Sequence, residues 1–172
     1  MISTKAARAV LKDATLVRKR LEDEVDTVQW RLDWVLVVVL LRAVGHVLLK
    51  VDGKSEEFVK VISTELFNNW KNGEEHRIFR EFIELERNSI IKEYETQMTQ
   101  GPVPIALQLM STDGTSQIQQ FVISENIYRP ISGGFYEGED GRTLVDDAIQ
   151  WWERQLDEVD CRVFSMRQKG KP

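Results

Sequence analysis

Cysteine and histidine are scarce in this sequence, and their scarcity limits the chemistry that it can hold. The 172 residues include one cysteine, Cys161, and two histidines, His46 and His76. A single cysteine cannot form an internal disulfide framework, and its isolation fits a reducing compartment. Three such residues are also too few and too scattered for a cysteine/histidine zinc site. We therefore expect a cytoplasmic protein with no disulfide, no bound metal and no cofactor.

The patterns of a nucleotide-phosphate loop, a signal peptide and a membrane span are missing as well. The segment Ser132-Gly133-Gly134 has neither the glycine spacing nor the lysine of a phosphate loop. Residues 1–20 contain no continuous apolar core of the kind that a signal peptide needs. The most apolar run, residues 34–41, lies between Asp33 and Arg42 and is shorter than the roughly 20 residues of a membrane-spanning helix. We expect neither export nor membrane insertion.

Positive charge is not in excess. The chain has 23 lysines and arginines against 28 acidic residues, a formal net charge of -5 at pH 7. An acidic chain has no general attraction for the phosphate backbone of a nucleic acid, although a local basic patch can exist on its surface. The charge balance therefore disfavours RNA as a partner without excluding it.

Proline is absent before Pro102, and the apolar residues of this part of the chain recur at three- and four-residue steps. This period is typical of amphipathic helices. The second apolar segment follows a capping residue, Asp26 or Thr27, and we expect it at the centre because it is apolar on nearly all sides. Gly53 is expected to end it, and Ser55 to cap the next helix. The predicted helices span about residues 6–25, 27–51, 55–72 and 74–94, with Tyr94 on the inward face of the last.

The pattern changes at Gly101-Pro102-Val103-Pro104, because two prolines prevent a helix from continuing. Apolar residues then alternate from Ile105 to Leu109, a turn is expected at Asp113-Gly114, and residues 118–123 return as a second strand. The predicted fold class is mainly α, in one domain. It comprises an antiparallel four-helix bundle over residues 1–98, a β-hairpin and glycine-rich loop over residues 99–142, and a final helix over residues 143–166 that packs on the bundle.

Four polar residues interrupt the apolar faces of two predicted helices. Glu86 falls inside the apolar arc of the fourth helix, with Arg87 at its edge. Arg42 and His46 lie four residues apart on one face of the second helix. A buried charge needs a partner, so we predict a network of Arg42, His46, Glu86 and Arg87. The network is either a structural ion pair that fixes how the helices pair, or the lining of a cleft used for binding or proton transfer.

The fourth predicted helix contains the string Glu86-Arg87-Asn88-Ser89-Ile90-Ile91-Lys92. This string resembles the motif of the HEPN superfamily. The motif of that superfamily is an arginine, commonly followed by a polar residue, and then a histidine four to six residues further on. The resemblance covers residues 1–98. It implies an α-helical bundle of a group that includes RNA-cleaving toxins and defence ribonucleases, which act at a dimer cleft and often accompany a nucleotidyltransferase antitoxin. Other members have lost catalysis and bind partners or ligands.

The resemblance assigns roles to three residues of the motif string. Arg87 matches the motif arginine and Asn88 its polar neighbour, whereas Lys92 occupies the histidine position. A lysine normally stays protonated near neutral pH, so it cannot replace imidazole as a general base, although it can stabilise the charge of a phosphate. His46 of the second helix would then have to supply the imidazole. The candidate catalytic residues are therefore Arg87, Lys92 and His46.

Three functions remain open on the sequence alone. The favoured one is a non-catalytic, HEPN-like protein of a bacterial-type stress or defence system, such as a toxin-antitoxin pair, which acts as a homo-oligomer or through a protein partner. Its support is the acidic charge, the altered motif and Trp151-Trp152, whose side chains point about 100° apart so that one is expected at an edge. The alternatives are a metal-independent, RNA-cleaving toxin or defence ribonuclease that uses Arg87, and a small-molecule sensor with a pocket beside residues 128–141.

Overall fold

The computed structural model describes residues 2–23, 26–99, 103–110, 116–123 and 127–169, and most of them are helical. The predicted mainly α class is confirmed. The chain also forms the predicted two-stranded hairpin and ends in the predicted C-terminal helix. The helices are α1 (Lys5–Asp23), α2 (Thr27–Val47), α3 (Gly53–Ser55), α4 (Glu57–Asn72), α5 (Leu85–Glu93) and α6 (Gly141–Lys169).

The second helix lies at the centre of the protein, as its composition predicts. Asp26 caps α2, because its Oδ1 accepts a hydrogen bond of 2.8 Å from the backbone N–H of Gln29. The apolar side chains spaced along α2 and into the turn that follows it are almost fully buried: Trp30, Trp34, Val38, Leu41 and Leu48. Helices α1, α5 and α6 all pack against α2.

By length and composition alone, the helical stretch Thr27–Ser55 could cross a membrane, since its most apolar window has a mean hydropathy of 2.1. Half of that window is buried inside the protein. The stretch also contains three buried charged residues, Asp33, Arg42 and Asp52. The core helix of a soluble protein passes the same test, so the absence of membrane insertion stays a prediction.

The end of the second helix differs from the prediction. Gly53 does not stop it: a π-helical turn, Leu48–Asp52, continues into α3, and Gly53 has a helical φ of -65°. Ser55 does not cap the next helix either, because α4 begins at Glu57. The π turn places both carboxylate oxygens of Asp52 on the first turn of α1, where they accept hydrogen bonds of 3.0 and 2.9 Å from two backbone N–H groups. This long-range cap between helices leaves no periodic signal in the sequence.

The predicted fourth helix is broken into three parts. A 3-10 turn, Glu74–His76, and a π-helical segment, Phe79–Glu84, precede α5. After α5 the chain reverses at Tyr94, whose φ of 55° is left-handed. This reversal turns Tyr94 away from the core, so its predicted inward position is wrong and the side chain is 66% exposed.

The C-terminal helix packs on the other helices, as predicted, and shares their core. Helix α6 packs against α1, α2 and α4, so, with α3 counted as the end of α2, the described residues form five helices around one core, and the predicted four-helix bundle is not confirmed. The helix begins at Gly141, two residues before the predicted start. Both Trp151 and Trp152 are buried, which corrects the prediction that one of them lies at an edge. Adjacent side chains can both be buried because α6 is covered on more than one side.

The hairpin consists of strands β1 (Val103–Met110) and β2 (Ser116–Ile123). They pair antiparallel along their whole length, from Val103 opposite Ile123 to Met110 opposite Ser116. The predicted turn at Asp113-Gly114 lies outside the described residues. Among the described residues, the two strands pack on each other and have no extensive contact with any helix.

The two chain segments that lead into and out of the hairpin are tied together at the helical body. Met98 and Ile131 form an antiparallel bridge, and the N–H of Thr99 donates to the carbonyl of Pro130 over 2.8 Å. Nearby, the guanidinium of buried Arg129 lies 4.3 Å from the ring centroid of Trp30. The hairpin therefore projects from a fixed base.

Candidate functional site

Glu86 is a buried carboxylate on α5, with 1% of its surface exposed. Its Oε1 accepts a hydrogen bond of 2.8 Å from the indole Nε1 of Trp34, and both of its oxygens lie 3.1 Å from the backbone nitrogen of Gln97. Burial raises the pKa of Glu86 above its ordinary value, while the bonds from Trp34 and Gln97 act in the opposite direction. Glu86 thus joins α2, α5 and the segment that leads to the hairpin.

Arg42 is a nearly buried cation on α2, with 8% of its surface exposed. Its guanidinium carbon lies 5.5 Å from the ring centroid of Phe67 and 5.6 Å from that of Phe79. One terminal nitrogen, Nη2, is 3.6 Å from Oε1 of Glu84. Within the described ranges, no group accepts a hydrogen bond from Nε or Nη1 of Arg42. Burial lowers the pKa of Arg42, against the effect of Glu84.

His46 and Arg87 stand close to Arg42. His46 follows Arg42 by one turn of α2 and is exposed on its outer side. Partial burial lowers the pKa of His46, and the positive charges of Arg42, Arg87 and Lys50 lower it further. Arg87 is half-buried on α5 and donates from Nη1 to Oδ1 of Asn88 over 2.8 Å. We call Arg42, His46 and Arg87 the cationic cluster.

The structure thus divides the four predicted site residues between two places, the cationic cluster and the separate position of Glu86. The carboxylate that approaches Arg42 is Glu84, which the sequence analysis missed. Its position has a local cause, because Glu84 ends the π-helical segment Phe79–Glu84. A π-helix holds more residues in each turn than an α-helix, so its side chains do not follow the roughly 100° per residue that defines the predicted apolar arc. No periodic pattern in the sequence indicates a π-helical segment.

Lys92, the residue at the histidine position of the resemblance, lies exposed in the last turn of α5. Lys92 follows Arg87 by five residues, so the two side chains leave the helix about 140° apart. Two of the three candidate catalytic residues, Arg87 and His46, are therefore close together, and Lys92 points to another side of the helix.

The cationic cluster has the chemistry of an anion site. Two nitrogens of Arg42, Nε and Nη1, are buried and have no hydrogen-bond partner among the described residues, and Arg87 and His46 lie beside this side chain. Charged guanidinium donors form strong hydrogen bonds to phosphate and carboxylate oxygens. A lowered pKa keeps His46 uncharged at neutral pH, the form in which an imidazole can accept a proton.

The described residues contain no grouping of three or more His, Cys, Asp or Glu side chains that could hold a metal ion. A cavity of about 640 Å³ lies beside the N-terminal segment and α6, away from residues 128–141, where the sensor prediction places a ligand. The residues that line this cavity include Ile2, Arg8, Cys161 and Phe164.

The eight residues of β1 and the eight of β2 form what we call the hairpin surface. None of them is charged, although charged residues make up 30% of the chain. Natural sheet edges are commonly protected by charged side chains against pairing with another chain, and here that protection is missing. Large apolar side chains are exposed on both faces of the hairpin surface: Leu107, Leu109, Met110, Ile118, Phe121 and Val122.

Together, these features define a mainly helical protein with a cationic cluster on its body and an uncharged hairpin that projects from it. Comparison of the chain with protein-family models, with curated proteins and with solved structures finds no match.

Proposed function

We propose that this protein acts by associating with another protein chain through its hairpin surface, as a non-catalytic, HEPN-like protein of a bacterial-type stress or defence system. The observation that carries the proposal is the uncharged, exposed hairpin surface, which packs on no helix among the described residues. Large exposed apolar patches on a protein surface commonly mark sites of interaction with another protein.

The base of the hairpin supports the same proposal. An isolated two-stranded hairpin is marginally stable in water unless it packs on a helix or gains further strands. Here the base is held by the Met98–Ile131 bridge and by the bond from Gln97 to Glu86, while the strands beyond it remain uncovered. A binding partner would supply the cover that the helical body does not.

A matched pair of substitutions tests this proposal. Phe121→Lys places a charge on the hairpin surface, and Phe164→Lys places the same charge at an exposed phenylalanine of α6. We expect Phe121→Lys to abolish association in sedimentation velocity and in quantitative affinity capture from cells, and Phe164→Lys to leave it unchanged. Association that survives Phe121→Lys, or a parent protein that binds no chain at all, would contradict the proposal.

The cationic cluster favours a second candidate, the binding of RNA phosphate followed by cleavage with Arg87 and His46. The cluster places two arginines beside the imidazole of His46. The lowered pKa of this imidazole keeps it in the unprotonated form that a general base needs. The experiment is incubation with total cellular RNA, comparing the parent with Arg87→Ala and with the control Lys92→Ala. Cleavage lost in Arg87→Ala and kept in Lys92→Ala would support this function. Equal cleavage by parent and Arg87→Ala, or none by either, would exclude it.

A further inference from the structure

We propose that the partner of the hairpin surface is a second copy of this chain, and that strand β2 pairs antiparallel with β2 of that copy. The product is a four-stranded sheet with the order β1-β2-β2-β1, shared between two helical bodies. This inference rests on the proposed function, since it names the chain that the hairpin surface binds. It leaves the cationic cluster outside the contact.

The strand content of the hairpin is the first argument. Three or more strands, or a covering helix, are needed to stabilise a sheet, and the described hairpin has two strands and no such helix. A single added peptide would raise the count to three. A second copy contributes two strands at once. Each of the two hairpins then becomes part of a four-stranded sheet.

Charge is the second argument, and it selects a second copy over a foreign chain. The formal net charge of -5 makes two copies repel each other over most of their surfaces. The hairpin surface contributes nothing to that repulsion because it holds no charge. A foreign partner that is recognised specifically is usually matched by complementary charges, and this surface has none to offer. The hairpin surface is best matched by a strand edge that is also uncharged, and a second copy of this chain provides one.

The third argument distinguishes the two strand edges. Strand β1 contains Pro104, which has no N–H and weakens a strand as a pairing template. Strand β2 contains no proline along Ser116–Ile123. It also carries Gln117, Gln119 and Gln120, whose amide groups can both donate and accept across paired strands. The edge of β2 is therefore the better template.

Symmetry then fixes which residues meet. A contact between two identical patches is isologous, with a twofold axis between the copies. For antiparallel strands this axis stands perpendicular to the sheet, so each residue faces a residue of the same side of the sheet. One residue near the middle of β2 must lie on the axis and face its own copy. The middle of Ser116–Ile123 falls at Gln119 and Gln120.

The size of the contact predicts its strength. An eight-residue strand is about 26 Å long at 3.3 Å per residue, so pairing along one edge buries well under the ~1,200 Å² of a standard stable interface. The dimer should therefore be a weak, reversible one, and its population should rise with protein concentration.

Cysteine cross-linking tests the geometry in the full chain. The exposed native thiol is first removed by Cys161→Ser, and Gln119→Cys, Gln120→Cys or Gln108→Cys is then added singly. Opposed Cβ atoms of paired strands lie about 4.5–5.5 Å apart, so a small movement of the two strands brings them to the roughly 3.5–4.5 Å of a disulfide. We expect rapid covalent dimer formation for either Gln119→Cys or Gln120→Cys under mild oxidation, and none for Gln108→Cys on β1. Rapid cross-linking of Gln108→Cys, or of none of the three, would overturn the pairing.

A charge-matched pair measures the affinity. In Gln119→Lys/Gln120→Lys, like charges would face each other across the axis, and we expect the dimer dissociation constant from sedimentation to rise about tenfold or more. The comparison pair Ala106→Lys/Gln108→Lys adds the same charge to β1, whose edge takes no part in the pairing between copies, and should raise the dissociation constant by a smaller factor than the β2 pair does. Equal weakening by both pairs would overturn the choice of β2.

The same measurements separate this inference from the proposed function. A parent protein that stays monomeric at all concentrations, yet captures a different protein in a way that Phe121→Lys abolishes, would overturn the second copy and leave the proposed function standing. A dimer that none of the hairpin substitutions weakens would overturn both, because its contact would then lie elsewhere, for example at the exposed Val28, Leu32 and Leu36 of α2.

Discussion

Trp34 and Glu86 are joined by a buried hydrogen bond of 2.8 Å from the indole Nε1 to the carboxylate Oε1. The bond crosses from α2 to α5, and the same carboxylate also accepts from the backbone N–H of Gln97. Gln97 precedes the Met98–Ile131 bridge at the base of the hairpin. One side chain therefore holds together the central helix, its neighbour and the base from which the hairpin projects.

This arrangement predicts a particular effect of pH on stability. Because burial raises the pKa of Glu86 in the folded protein, protonation of Glu86 favours folding. Its stabilising contribution is complete below the ordinary glutamate pKa of about 4.3 and is lost as the pH rises through the raised folded-state value. In Glu86→Gln this group no longer titrates. We expect the free energy of unfolding of the parent, relative to Glu86→Gln, to fall as the pH rises above the ordinary glutamate pKa of about 4.3.

Urea denaturation at a series of pH values measures this difference. The control is Glu93→Gln, an exposed carboxylate of the same helix, which should track the parent at every pH. Glu86→Ala leaves two donors unsatisfied and should cost about 1–3 kcal/mol or more at all pH values. A Glu86→Gln variant that stays parallel to the parent over the whole range would show that Glu86 does not titrate with a raised pKa.

The second prediction concerns the cationic cluster. Arg42 and Arg87 both lower the pKa of His46 by their positive charge, so Arg42→Met and Arg87→Met should each raise it. Lys92→Met should not, because Lys92 is not among the charges that act on His46. NMR titration of the imidazole ring signals of His46 checks these shifts. An unchanged pKa in Arg42→Met would mean that the two groups are not close in solution.

Stability measurements on the same residue separate packing from charge. Arg42→Met keeps an unbranched side chain between Phe67 and Phe79 and removes a buried charge whose Nε and Nη1 are not used by the described residues. We expect its free energy of unfolding to stay within about 1 kcal/mol of the parent or to rise. Arg42→Ala, which also removes the packing, should lose about 2–5 kcal/mol. Equal losses in both variants would mean that the charge itself stabilises the fold.

The sequence predicts well those features that depend on composition and period. The burial of α2 follows from its apolar residues, its start follows from Asp26, and the hairpin follows from the alternation after Pro104. Glu86 also stands out as a charge inside an apolar arc, and the structure places it in the core. Each of these inferences uses residues that are neighbours along one helix or strand.

Features that depend on contacts between distant elements could not be predicted in the same way. Trp34 begins the most apolar run of the sequence and is expected in the core for that reason, but nothing in the sequence indicates that its N–H meets Glu86. Glu84 reaches Arg42 only because a π-helical segment changes the turn before it. The helices that α6 contacts could not be predicted either, since an apolar stripe predicts that a helix packs but does not say which helices it meets.

The fourth prediction concerns the cap that Asp52 provides for α1. Its two oxygens accept hydrogen bonds from the N–H groups of Ala6 and Ala7, and its negative charge lies at the positive end of the helix. Asp52→Ala should lower the free energy of unfolding by about 1–2 kcal/mol. Asp13→Ala, on an exposed side of α1, should change it by less than about 0.5 kcal/mol. Urea denaturation of the two variants would contradict the cap if their losses were equal.

The last prediction concerns the close approach of α2 to α6 at Gly45. A Cβ atom on Gly45 would lie 3.0 Å from Cη2 of Trp152 and 3.6 Å from Nη1 of Arg42. The ring of Trp152 is fully buried and cannot move without disturbing its neighbours, so Gly45→Ala should overpack the core. Overpacking costs about 1–3 kcal/mol, more than the up to ~1 kcal/mol that alanine gains over glycine inside a helix. We therefore expect Gly45→Ala to unfold at lower urea concentration than the parent. Gly133→Ala, whose Cβ meets nothing within 4 Å, should unfold at the same or a higher concentration. A Gly45→Ala variant as stable as the parent would show that α2 and α6 approach less closely than the structure has them.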